Sequence, residues 1–204
     1  MIRCLALLAA VVPVAACTTT YVSPVEVTRF VGDSPARLGS GTIAVRAAPG
    51  EAGGSLEFAV YEQAVAAELA RLGYRVVPAD AAQSQVPGTS AAQVAELRVS
   101  RMVEPPDGRR SPVNVGVGGS TGSYGSGVGV GVGIDLGGAR PRDVIHTAMG
   151  VIIRDNASGQ ALWEARANFA ASPDSEFADL PAAAERLAGA LFGDFPRPGE
   201  NLIR

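Results

Sequence analysis

Between Asp143 and Phe169 apolar and polar residues alternate along two consecutive stretches, and this pattern anchors the reading of the whole chain. Ile145, Thr147, Met149, Val151 and Ile153 share one face of a long strand over 143–155. Asn156-Ala157-Ser158-Gly159 supplies a hairpin turn. The return strand places Ala161, Trp163, Ala165, Ala167 and Phe169 inward and Leu162, Glu164, Arg166 and Asn168 outward. Upstream, Ile43, Val45 and Ala47 alternate over 42–47 as a shorter strand. A change to three- and four-residue steps then marks a helix, with Phe58, Tyr61, Val65, Leu69 and Leu72 in one stripe. Ser55 suits its N-cap and Gly73 its left-handed end.

Tyr74 to Val77 reads as the next strand, closed by Pro78, and a polar loop runs from Ala79 to Ala92. Over 94–103 a strand returns, with Ala95, Leu97, Val99 and Val103 on one face and Glu96, Arg98 and Ser100 on the other. Leu180, Ala184, Leu187 and Leu191 line a last helix that stops at Phe195-Pro196. These elements predict an α+β fold of two layers: a mostly antiparallel sheet with two helices on one face, in the order β-α-β-β-(Gly/Val hairpin)-β-β-α.

The Gly/Val segment, 113–138, is the least ordinary part of the pattern. Valine and glycine alternate in Val113 to Gly118 and again in Val128 to Gly133, predicting two strands with one apolar and one bare face around a loop at 119–127. A bare glycine face admits another backbone closely. Val115, Gly116, Val117, Gly129, Val130 and Gly131 are therefore the candidate interaction residues, for self-association or an envelope partner. The plainer alternative is a hairpin at the domain edge with no binding role. A phosphate-cradling loop is excluded, because no helix start and no Gly-Lys-Ser/Thr follows the glycines.

The N-terminus changes the picture from fold to location. Met1-Ile2-Arg3 precedes an apolar run from Cys4 to Ala16, an order expected of a secretory signal. The run is shorter than the roughly 20 apolar residues that span a bilayer, and Pro13 interrupts it. Val14-Ala15-Ala16-Cys17 resembles a bacterial lipobox. The resemblance implies diacylglycerol on the Cys17 thiol and cleavage between Ala16 and Cys17. Acylation of the freed amine would follow. Thr18 stands where, by the same resemblance, an aspartate favours the inner membrane, so the outer membrane, facing the periplasm, is the expected destination. Residues 17–41, poor in periodic large apolar residues, are expected to be a flexible tether.

Cleavage before Cys17 removes 16 of the 204 residues and leaves 188, a length suited to one domain, expected over 42–197 with a tail at 198–204. With Cys4 gone and Cys17 lipidated, the mature domain holds neither disulfide nor cysteine metal site. Net charge is −3 for the precursor and −4 without Arg3, and no basic run exists, which argues against nucleic acid as a partner.

Candidate chemistry is sparse. His146 is the single histidine and falls in a strand, so a zinc site lacks its usual companions. No Gly-x-Ser-x-Gly is present. Glu57, Glu62 and Glu68 fall on a helix, where carboxylates usually serve a solvated face, and Trp163 belongs to an apolar face where aromatics fill cores. No catalytic residue, metal or cofactor is expected.

Taken together, strand 42–47, the helix ending Leu69-x-x-x-Gly73-Tyr74, strand 144–153, Leu162-Trp163-x-Ala165 and the last helix before Phe195-Pro196 resemble a family of bacterial lipoproteins known only as domain of unknown function 4136. The likeness covers about 25–196 and includes the Gly/Val segment; Ala95-Glu96 departs from the family's common Ala-Asp. It implies no activity. The expectation is a membrane-anchored envelope lipoprotein acting as a non-enzymatic binding or assembly module, with self-association through the hairpin or an envelope hydrolase as alternatives.

Overall fold

The computed structural model describes residues 20–84, 90–105, 113–119, 128–134 and 143–203. The helix expected after Ser55 is α1, Leu56–Arg71. The Ser55 hydroxyl accepts a hydrogen bond from the Phe58 N–H at 3.0 Å, satisfying a donor that the first helical turn leaves free. At the other end Gly73 takes φ +100°. The Gly73 N–H then reaches Ala70 O, and the Tyr74 N–H reaches back to Leu69 O, each at 3.1 Å. This pair of bonds closes a helix through a left-handed residue, which favours glycine there. Phe58, Tyr61, Val65 and Leu69 are buried, as their spacing requires.

Seven strands form one sheet. In chain order its members are β1 (Val25–Val31), β2 (Thr42–Ala47), β3 (Arg75–Val77), β4 (Gln93–Glu104), β7 (Val144–Asp155), β8 (Ala161–Ala171) and β9 (Gly199–Ile203). Their spatial order is β3-β2-β4-β7-β8-β1-β9. β2 lies parallel to both β3 and β4, as a strand-helix-strand crossover demands. Every other pairing is antiparallel. The second helix, α2 (Leu180–Phe192), packs beside α1 on one face, and the core lies between this helical layer and the sheet. The fold is α+β in two layers, with a mostly antiparallel sheet, as the periodicity predicted.

Several local expectations need correction. Residues 17–41 do not form a tether throughout. Val25 and Val27 are core residues, and β1 lies between β8 and β9. Even ahead of it, Tyr21 and Ser23 bond to Ser172 and Ala170. Residues 17–19 lie outside the described part. Likewise the expected tail at 198–204 contains β9, which pairs with β1. The domain thus runs beyond 42–197 at both ends.

Val103 is 59% exposed, and it lies beyond Leu97, where the pairing of β4 with β2 stops. On β8 the positions of Ala161 and Leu162 are exchanged: Ala161 is exposed and Leu162 fully buried. The cause is a bulge. Ile153 pairs with Trp163 but Arg154 pairs with Ala161, so Leu162 is the extra residue and the side-chain alternation shifts there. The last helix also ends earlier, at Phe192, followed by Gly193.

Candidate functional site

Cys17 and Ala16, the expected lipidation and cleavage positions, lie outside the described residues. The Gly/Val segment forms β5 (Val113–Gly119) and β6 (Val128–Ile134), an antiparallel pair in a sheet of its own. Its register opposes like with like. Gly116 faces Gly131 and Val117 faces Val130, while Val115 faces Val132 and Gly129 faces Gly118. The structure therefore brings the six candidate residues onto one hairpin.

The face of the seven-stranded sheet opposite the helices carries charge, and most of that charge is paired. Strand register puts Arg46, Glu96, Ile152 and Glu164 in one row across β2, β4, β7 and β8. Glu96 is buried and accepts from Arg46 Nη2 at 2.7 Å through one oxygen and from Arg154 Nε at 3.0 Å through the other. Burial pushes its carboxyl up, but the hydrogen bonds and charges of the two arginines outweigh this and hold it below the ordinary value. Arg98 meets Glu51 at 3.0 Å, and Arg166 meets Glu164 at 2.7 Å. Near the β3 edge, Ala81 and Ala91 cover Ala44, so the two described ends of the loop, 79–84 and 90–92, pack against the sheet.

The helical side holds two more polar devices. Arg29, on β1, is 2% exposed and donates to the carbonyls of Leu191 and Ala190 at the end of α2. Asp194 lies 3.5 Å from the same guanidinium. Burial lowers the affinity of Arg29 for its proton and Asp194 opposes that shift. A cation at a helix C-terminus meets the carbonyls that the last turn leaves unpaired, and α2 has no basic residue of its own there. The second device involves Asp155, which accepts from the N–H and the hydroxyl of Ser158 and pairs with Arg37. These hydrogen bonds, the Ser158 pair first, depress its carboxyl below the ordinary range.

An open cleft of about 410 Å³ lies along α2, with Val25, Glu185, Arg186, Gly189, Asp194 and Ile203 among its lining. Neither a hydroxyl nucleophile nor an imidazole base lines it, and Asp194 is already engaged by Arg29 and Asn201. Arg186 lies over the Phe177 ring at 4.4 Å. The cleft offers charge and apolar wall but no nucleophile-base pair. His146 Nε2 sits 2.9 Å from Glu104 on an exposed part of the sheet. Among the described residues no three His, Cys, Asp or Glu side chains gather as a metal site. Trp163 stacks on Phe192 at 5.2 Å inside the core.

Sequence reasoning placed Glu96 on an outward face and missed its two arginines. Arg46 and Arg154 lie 50 and 58 positions from it along the chain, and only the register aligns them. Arg29 was missed with β1. Its signal, an arginine at an inward position of a short alternating stretch, is visible only once that strand is recognised.

Neither a protein-family profile nor a curated protein sequence matches the chain. Among solved structures, two crystal forms of a PelC dodecamer from Paraburkholderia phytofirmans are similar at 18% and 17% identity. They cover 81% and 82% of this chain and 93% and 94% of those chains, each with a TM-score of 0.43. A PDZ domain protein from Parabacteroides distasonis is similar at 14% identity and a TM-score of 0.50 over 88% of this chain, which spans 37% of that one. This last likeness concerns the fold alone. No helix among the described residues is long and apolar enough to cross a membrane.

Proposed function

We propose that this chain is a lipid-anchored envelope lipoprotein whose domain serves as a non-enzymatic binding or assembly module, of the kind grouped as domain of unknown function 4136. The observation that carries the reading is the run Val14-Ala15-Ala16-Cys17 behind a short apolar segment. The arrangement of the domain supports the second half. Its buried carboxylates at Glu96 and Asp155 are committed to arginine and serine partners, an arrangement suited to holding a surface in shape. One acyl chain binds a membrane reversibly and two or more hold it stably, at about 0.8 kcal/mol per buried CH₂. With Thr18 after the cysteine, the outer membrane is the proposed site.

The test is Cys17→Ser in the producing cell, followed by mass spectrometry of the mature N-terminal peptide and membrane fractionation. Loss of the diacylglycerol mass, retention of the precursor or release from the membrane is the expected result. Normal processing and unchanged membrane recovery would overturn the reading.

A second reading rests on the like-with-like register of β5 and β6: glycine opposed to glycine leaves a bare strip on which a second copy can pair. Deleting 116–133 and comparing sedimentation of the two purified proteins tests it. A smaller assembly after deletion supports self-association, and an unchanged assembly argues for a plain edge hairpin.

A further inference from the structure

The strand register fixes which end of the domain faces the anchor. Val22 bridges to Ala171, Ala171 pairs with Ile145, and Ile145 pairs with Val103, forming one row from an isolated bridge across three strands. Just ahead of this row, the Tyr21 N–H donates to Ser172 Oγ at 3.1 Å and the Ser172 N–H donates to Tyr21 O at 2.9 Å. The domain is thus fastened at Tyr21. Three residues lie between Cys17 and Tyr21, a reach of at most about 14 Å for an extended chain. A lipid on Cys17 would therefore hold this end of the sheet within about 14 Å of the bilayer surface.

Three further features gather at the same end. Met102 and Val103 are 65% and 59% exposed, at adjacent positions on the two sides of β4, and Tyr21 is 52% exposed. They lie three strand spacings from Tyr21, about 14 Å. Finally, Glu104 pairs with Val144, so the whole connection carrying β5 and β6 leaves and re-enters the sheet here. The opposite end, by contrast, carries the 156–159 turn, Gln93 and Thr42.

Resting on the lipid-anchor reading above, we infer that this end of the domain is a membrane-contact surface. The tip of β4, at Met102 and Val103, meets the acyl-headgroup boundary. The occupant is a lipid surface. Apolar side chains held at an interface by a covalent anchor gain burial without a separate association step.

The test uses the full lipidated protein carrying Met102→Cys, Val103→Cys or Ala157→Cys, with the Cys17 thiol blocked by its own thioether. A thiol-reactive nitrobenzoxadiazole label reports on each site. The protein is reconstituted in phosphatidylethanolamine–phosphatidylglycerol vesicles that contain brominated acyl chains. Quenching at 102 and 103 should exceed that at 157 by at least about twofold, since interfacial side chains sit within 5–10 Å of the acyl boundary. Equal quenching at all three sites, or none at 102 and 103 in protein that floats with the vesicles, overturns the contact surface and leaves the anchor standing. A mature peptide without diacylglycerol overturns the anchor itself, and this inference with it.

Discussion

Arg29 and Leu191 lie 162 positions apart and are joined by a 2.8 Å hydrogen bond from guanidinium to carbonyl. This contact ties an early strand of the domain to the end of its last helix. Arg29→Met keeps much of the buried volume and removes the donor. Hydrogen bonds to a charged group contribute about 1.5–3 kcal/mol, so a loss of about 2–3 kcal/mol is expected in urea unfolding. An unchanged midpoint would show that the α2 carbonyls find other partners.

Glu96 makes stability depend on acid. Its folded carboxyl is held below the ordinary 4.5, so its contribution is present above that value and is lost as pH falls through the lower, folded value. Asp155 shifts in the same direction. Glu96→Gln should destabilise by about 1–3 kcal/mol at neutral pH, because two arginines lose their counter-charge. The gap between the melting temperatures of the two proteins should narrow steadily under acid. A gap independent of pH would mean that the bridge contributes no net charge pairing.

Gly73→Ala forces a left-handed conformation on an L residue, at about 1–2 kcal/mol. Its Cβ would also sit 3.2 Å from Gly39 O. Gly50 has a similar φ of +88° with open space around it. Thermal melts should therefore rank Gly73→Ala as the more damaging of the two. Equal losses would assign the whole effect to backbone conformation.

Leu187→Ala opens a cavity in the layer between α2 and the sheet, where Leu187 is fully buried. Losses for such truncations run about 2–5 kcal/mol. A denaturation midpoint within error of the parent would contradict the placement of α2 over the core.

How legible the molecule is from its residues varies element by element. α1 is readable because cap, stripe and terminal glycine agree, and β7 because each second residue is buried along most of its length. β1 alternates too, with Val25 and Val27 inward, but Arg29 occupies an inward position and the 55% exposed Phe30 an outward one. That inversion cancels the pattern. β9 is exposed along nearly all its length and leaves no apolar signature. The bulge at Leu162 is a pairing event, invisible without the partner strand. The candidate residues of the hairpin were readable because their repeat is local, whereas the Glu96 bridge joins three strands distant in sequence.

The sheet ends in β3, of three residues, on one side and in β9, of five, on the other. If the chain is anchored as proposed, its copies would share a plane and collide at high local density. Long bare margins would there invite strand-by-strand polymerisation. β3 and β9 give an incoming strand few backbone groups to grasp, whereas β4 continues from Arg98 to Glu104 beyond its pairing with β2, so an extended margin of the main sheet lies along that stretch.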